Sequence, residues 1–239
     1  MTAAIVPLQK SKHANTKIKM DPTFAHVKEQ HIAPVVVHEF VQAAAEFPII
    51  FVKNSENGQF QAVVMMGLKP GENLFVGERW NGIYIPASVG HYPLMLVPDM
   101  QQSDNLIMAI NESSTLVGDS EGEALFNDEG ELTAFAEQRR EKLGQYVESD
   151  QLTRGFAAEL AKRDLLMTRP LNIRVNGQEI SLNGVYMVDE KKLNELDDEQ
   201  FADLRKRGML GPIYTHLGSL QQVNRLAYMK ARQDAQDAE

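Results

Sequence analysis

His38-Glu39 is the pair that comes nearest to a catalytic signature in this sequence. Two histidines at i and i+4 on a helix with a glutamate between them would hold zinc and activate its water, but position 42 is Gln. His31, His38, Glu39 and His91 remain as imidazole and carboxylate ligands that separate elements can bring together. A metal-dependent enzyme built on His38, Glu39 and His91 is therefore one alternative. The competing role is local: His38 or Glu39 hydrogen-bonds the backbone at a helix start. Gly67 and Gly71 lack the Gly-Lys-Ser/Thr ending of a phosphate-cradling loop, so Pro70-Gly71 reads as a type II turn. Ser113, Ser114 and Ser219 lie outside any Gly-x-Ser-x-Gly elbow, and Ser219 is expected to cap a helix. Asp189-Glu190 and the loop carboxylates Asp119, Glu121, Glu123, Asp128 and Glu129 miss the EF-hand spacing and read as solvated. Cysteine is absent, which removes thiolate nucleophiles, disulfides and Cys-ligated metals together.

A second constellation favours binding over catalysis. Phe75, Trp80, Tyr84 and Tyr92 are interleaved with Asn73, Arg79, Asn81 and His91, in a stretch cut short by Gly and Pro. Aromatic rings supply contact area with few rotatable bonds, and amide or guanidinium groups fix orientation, which suits a peptide or a sugar. Asn73, Arg79, Trp80, Asn81, Tyr84 and His91 are thus the candidate partner-binding residues. The other reading is that these rings fill the core of a sheet.

The elements that must position these residues follow from periodicity. Phe40, Ala43, Ala44 and Phe47 mark a short amphipathic helix that Pro48 stops. Residues 49–53 and 60–66 form a hairpin around Asn57-Gly58, and 94–97 and 106–110 add strands. From Leu132 the period becomes helical, in two stripes with Ser149 or Asp150 as a cap between them. Leu171, Ile173 and Val175, then Ile180 and Leu182, alternate around Asn176-Gly177, the strongest hairpin signal in the chain. Asp197 with Gln200 opens a helix that Gly208 ends, and Ser219 with Gln222 opens the last one. The fold class is α+β, with a mostly antiparallel sheet in the N-terminal half and helices plus a β-hairpin in the C-terminal half. The expected organisation is a basic N-terminal arm (1–20), one domain (21–232; sheet-rich 21–130, helix-rich 131–232) and a frayed tail (233–239).

The formal charge of −9 over 239 residues argues against a nucleic-acid binder. Charge is uneven: residues 1–20 hold four lysines and no carboxylate, and residues 112–131 hold seven carboxylates and no Lys or Arg. The first reads as an arm for an acidic partner, or as a solvated terminus. No apolar stretch approaches the roughly 20 residues of a membrane span and no signal-like run follows the first lysines, so a cytoplasmic location is expected.

The sequence resembles the SapC family of bacterial proteins. His38-Glu39-Phe40 with Glu46-Phe47-Pro48-Ile49 looks like its first block, and Asn73-Leu74-Phe75, Trp80, Tyr84-Ile85-Pro86 and Tyr92-Pro93 like its second. Leu125-Phe126 with Gly130 and Thr133 matches the third, and Gly184-Val185-Tyr186 through Tyr214-Thr215-His216-Leu217 and Ser219-Leu220 the last. Leu94 departs from the family, where phenylalanine follows the Tyr-Pro pair. The resemblance implies an accessory protein, encoded near outer-membrane TonB-dependent receptors and tryptophan-halogenase-like enzymes. The expectation is a non-enzymatic binding protein that engages a protein or peptide partner, without a cofactor, a nucleic acid or a membrane span. The alternatives are the metal-dependent enzyme and a surface-layer structural component; the amphipathic last helix is compatible with a homo-oligomer.

Overall fold

The structure is a computed structural model and describes residues 4–100, 102 and 105–237. In chain order the elements are β1 (Ile5–Pro7), α1 (Lys10–His13), β2 (Lys17–Ile18), β3 (Ile32–Pro34), α2 (Phe40–Ala43), β4 (Ile49–Lys53), β5 (Phe60–Met65) and α3 (Ala87–Gly90). Then follow β6 (Leu94–Pro98), β7 (Leu106–Asn111), β8 (Val117–Gly118), β9 (Glu123–Ala124) and the long α4 (Ala134–Lys162). The rest is β10 (Leu166–Thr168), β11 (Leu171–Val175), β12 (Gln178–Leu182), β13 (Tyr186–Val188), α5 (Glu190–Asn194), α6 (Asp198–Lys206), α7 (Leu210–Ser219) and α8 (Val223–Gln236). Helices and antiparallel sheets together make the α+β class expected. The chain divides into two compact units, Met1–Pro22 with Ala87–Glu148 and Thr23–Pro86 with Ser149–Glu239.

The first unit contains an antiparallel sheet ordered β1-β7-β6 and a smaller one ordered β8-β2-β9. Ile18, Leu94, Met108, Ile110, Leu125, Ala136 and Leu143 form its core. Residues 4–20, expected as an arm, are built into this unit. Ile5 pairs with Asn111 and Pro7 with Ala109, and Ile18 is buried. Their lysines meet the acidic run directly: Lys12 Nζ lies 2.6 Å from Glu112, Lys19 Nζ lies 2.8 Å from Glu121, and Lys10 Nζ donates to the Glu129 carbonyl at 2.6 Å. The acidic partner that the sequence pattern asked for is a later part of the same chain. Residues 1–3 lie outside the described residues.

The second unit is a five-stranded antiparallel sheet, β10-β13-β4-β5-β3, with the separate hairpin β11-β12. Its core is aromatic and aliphatic, with Phe40, Phe47, Phe51, Ile49, Ile50 and Leu160 fully enclosed. The turn of the β11-β12 hairpin uses positive φ at both central residues, Asn176 (49°) and Gly177 (81°), as the sequence requires. Asp197 accepts from the Gln200 N–H at 2.8 Å and caps α6; Gly208 (φ 70°) ends it.

Two boundaries differ from expectation. Helix α4 runs unbroken through Ser149 and Asp150 for 29 residues. Neither residue has a cap to make, because Thr133 already caps the helix by accepting from the Ala136 N–H (3.2 Å), and Asp150 instead pairs with Arg154 at 2.7 Å. Its residues Ala136 and Leu143 belong to the first unit's core, whereas Phe156, Ala157 and Leu160 are buried in the second. At the C-terminus, α8 continues to Gln236, with Asp234 paired to Lys230 (2.6 Å) and bonded by Asn176 (3.2 Å). Ala238 and Glu239 of the expected frayed tail lie outside the described residues.

Candidate interaction surface

The segment after β5 is fixed from its first residue. Gly67 passes so close to the chain at Glu72 that a Cβ would stand 2.1 Å from the Glu72 carbonyl oxygen, and Pro70-Gly71 turns between them with φ 80° at Gly71. Glu72 is buried; its carboxylate accepts from the Leu68 N–H at 3.0 Å and meets Lys230 of α8 at 3.2 Å. Asn73, a candidate binding residue, is only 6% exposed and points inward. Its amide donates to the Val27 carbonyl at 3.0 Å, and its oxygen accepts from the Phe75 N–H at 3.0 Å.

Phe75 anchors the aromatic group. It is buried against Phe47 (4.4 Å between ring centres), and Trp80 stacks on it at 5.4 Å with 27° between the planes. Trp80 is half-buried, takes the ring of Phe24 edge-on at 5.5 Å, and donates its indole N–H to the Tyr84 carbonyl at 2.9 Å. These rings therefore pack the base of a loop over residues 79–84.

Two buried carboxylates hold that loop. Glu46, 4% exposed, accepts from the Ile83 N–H at 2.7 Å and the Tyr84 N–H at 3.2 Å through one oxygen. Its other oxygen lies 3.5 Å from the Arg225 guanidinium, a charge contact without hydrogen-bond geometry. Glu39, 7% exposed, accepts from the Val36 N–H at 3.1 Å with one oxygen and from the Tyr84 hydroxyl with the other. A Cβ at Gly82 would stand 2.5 Å from Glu46 Oε2 and 3.0 Å from the Trp80 indole nitrogen, so a side chain there would displace the Glu46 carboxylate over which the loop closes. What the loop turns outward is Arg79, Asn81 and Ile83, the last 96% exposed.

Beside the loop, within the same unit, lies a cleft of about 540 Å³. Leu74, Asn81, Arg225, Tyr228, Met229 and Arg232 are among its lining residues. Arg225 also lies over the Phe75 ring, 5.6 Å from its centre.

His91, grouped by sequence with these residues, belongs to the first unit. Its ring meets Tyr146 edge-on at 5.4 Å, and neither ring nitrogen has a hydrogen-bond partner among the described residues. Burial, with help from Arg139 and Lys142, lowers its pKa to about 4, so the ring is neutral at pH 7. Of the six candidate residues, then, Arg79 and Asn81 face solvent, Trp80 and Tyr84 brace the loop, Asn73 is interior and His91 lies elsewhere. The metal set fares similarly. Glu39 has both oxygens engaged in the second unit, His91 lies in the first, and among the described residues no three His, Asp or Glu side chains gather as a metal site.

Other residues with suspected chemistry have structural work. Ser219 does not cap a helix; its Oγ accepts from the Ile49 N–H at 2.9 Å and donates to the His216 carbonyl at 2.6 Å. Asp189 caps α5, accepting from the Lys191 and Lys192 N–H groups at 3.1 and 3.2 Å. Glu46 is the residue the sequence reading passed over. A lone carboxylate between Ala43-Ala44-Ala45 and Phe47-Pro48-Ile49-Ile50 was the available signal, since a charge that leads into the buried run Phe47-Pro48-Ile49-Ile50 needs internal partners. Ile83 and the arginines of α8 gave no local signal.

The family model described as SapC matches residues 8–226. No curated protein and no solved structure matches the chain. Among the described residues, no helix is long and apolar enough to cross a membrane.

Proposed function

The chain belongs to the SapC family, and from that premise we propose that it is a cytoplasmic, non-enzymatic binding or accessory protein whose loop over residues 79–84 engages a protein or peptide partner. The observation that carries the reading is the presentation of Ile83. A single exposed aliphatic side chain is ordinary on a protein surface. Here, however, two buried carboxylates, a tyrosine hydroxyl and an indole N–H fix the backbone on which it stands. Burying carboxylates is costly unless they are well partnered, and fixing a loop in advance lowers the entropy lost when a partner docks. Arg79 and Asn81 flank the aliphatic tip with groups that orient a partner. The TonB-dependent receptors and halogenase-like enzymes implied by the family resemblance are the first partners to try.

The test is affinity capture from the source cell's lysate with light crosslinking, comparing the natural chain with Ile83→Asp and Arg79→Glu. A stoichiometric partner retained by the natural chain and lost by both variants, at unchanged thermal midpoints, supports the reading. A partner held equally by all three removes the loop from the interface, and absence of any partner removes the binding function.

A further inference from the structure

We propose that the cleft beside α8 binds an acidic peptide segment, with Arg225 and Arg232 receiving its carboxylates. The inference rests on the binding reading above and narrows it to a class of partner. Of the three charged residues that line the cleft among the described residues, two are arginines, Arg225 and Arg232, on a protein whose formal charge is −9. Arg225 and Arg232 are seven residues apart on α8, two helical turns, and both line the cleft. That separation is about 10 Å along the axis, close to the roughly 9 Å that three residues of a polyproline II segment span. With three residues per turn, carboxylates at positions i and i+3 of such a segment fall on one face and match the two guanidiniums.

Arg225 is held ready for this role. Glu46 lies behind it at 3.5 Å and Phe75 beneath it, so its orientation is fixed before any ligand arrives. Glu46 also carries the Ile83 and Tyr84 N–H groups, which ties α8 to the loop on the opposite wall. Lys230 with Glu72 makes a second tie between α8 and the segment below the loop. Arg232 is exposed and makes no ion pair among the described residues, which leaves its planar fork open to a bidentate carboxylate. Leu74, Tyr228 and Met229 give the cleft apolar surface for side chains between the acids, and Asn81 adds an amide from the loop. Among the described residues, Asp237 is the one carboxylate that lines the cleft, and it would turn acidic side chains away from its own neighbourhood.

The experiment is selection of a phage-displayed random dodecamer library on the full chain, followed by fluorescence anisotropy with fluorescein-labelled copies of the selected peptides. The expected peptides carry Asp or Glu three positions apart. Replacing those acids by Asn or Gln, or making Arg232→Glu in the protein, should weaken binding by about tenfold or more. Lys206→Glu, a charge-matched change on exposed α6, should leave it unchanged, and the thermal midpoints of both variants should equal that of the natural chain. Selected peptides without acids, or binding that Arg232→Glu does not move, would overturn the cleft assignment while leaving a binding protein in place. Failure to enrich any peptide overturns it as well, and lysate capture with Ile83→Asp then decides the broader reading on its own.

Discussion

His216 Nε2 accepts the Val188 N–H at 3.0 Å, from inside the sheet of the second unit. Strand β13 pairs with β4 through Tyr186 and Phe51, a register that sets Val188 opposite Ile49. The imidazole of α7 fills that next position, and its Nδ1 is 2.8 Å from the Ile49 carbonyl. A side chain thus completes the ladder where the strands part. The N–H of Val188 only donates and the carbonyl of Ile49 only accepts, so the ring must be neutral with its proton on Nδ1. Burial lowers its pKa from 6.5 to about 4.

The first prediction concerns acid stability. Because the folded pKa of His216 is depressed, the unfolded chain takes up the proton first as pH falls below about 6.5, and stability declines from there toward pH 4. At neutral pH the contribution is complete. The depression corresponds to a loss on the order of 3 kcal/mol by pH 4, with His91 acting in the same direction. Urea unfolding at intervals from pH 7.5 to 4 measures it. His216→Ala should lower stability at pH 7 by roughly 3 kcal/mol, through a cavity and two unsatisfied backbone groups, and flatten the slope between pH 6.5 and 5. An unchanged slope in the variant would assign the acid sensitivity to other groups.

The elements readable from sequence are those decided by residues next to one another. Asn176-Gly177 makes its hairpin because both positions need positive φ, and Asp197 caps α6 because its oxygen reaches Gln200 three residues on. Where the deciding contact is distant in sequence, the local pattern misleads. Ser219 has the right spacing for a cap but answers to Ile49, 170 residues away. Asp150 looks like a helix start but sits inside a helix that Thr133 has already begun. The residues carrying the family resemblance follow the same division. Leu125 and Phe47 are core, Thr133 caps α4, and His216 bridges strands. They mark what builds the scaffold, so the surface that acts has to be found on the residues between them.

Glu46 is predicted to control the loop. Glu46→Ala removes the acceptor for two backbone N–H groups and the anion beside Arg225, and should cost about 2–4 kcal/mol. The single tryptophan reports the consequence, since Trp80 is braced against Phe75 and Tyr84 in this loop. Its emission should shift to the red and its quenching by acrylamide should rise. Glu46→Gln keeps one acceptor oxygen and should fall between. If the emission of Glu46→Ala matches that of the natural chain, Trp80 is held without Glu46.

Substitutions in the loop should separate fold from face. Trp80→Ala empties a site packed by Phe24 and Phe75 and should cost about 3 kcal/mol. Ile83→Asp and Arg79→Glu change exposed side chains and should stay within about 0.5 kcal/mol of the natural chain. Thermal unfolding of the three variants side by side decides this. A large loss for Ile83→Asp would mean that Ile83 packs somewhere in solution, and the loop would not be a presented surface.

The basic N-terminal stretch should behave as part of a domain. Deleting residues 1–20 removes β1 from the edge of β7, takes Ile18 out of the first unit's core, and leaves Glu112 and Glu121 without Lys12 and Lys19. The exposed ion pairs contribute little singly, so the loss comes mainly from the strand and the buried isoleucine. It also removes His13, whose buried ring joins Gln9 to Glu112 at 2.9 Å. Hydrogen exchange read by mass spectrometry should show lost protection in β6 and β7 while β4 and β5 keep theirs. Glu112→Ala, which leaves the buried His13 without its carboxylate, should weaken protection of β1 and β7 in the same direction and by less. Equal protection of β7 in the truncated and natural chains would return residues 1–20 to the status of an arm.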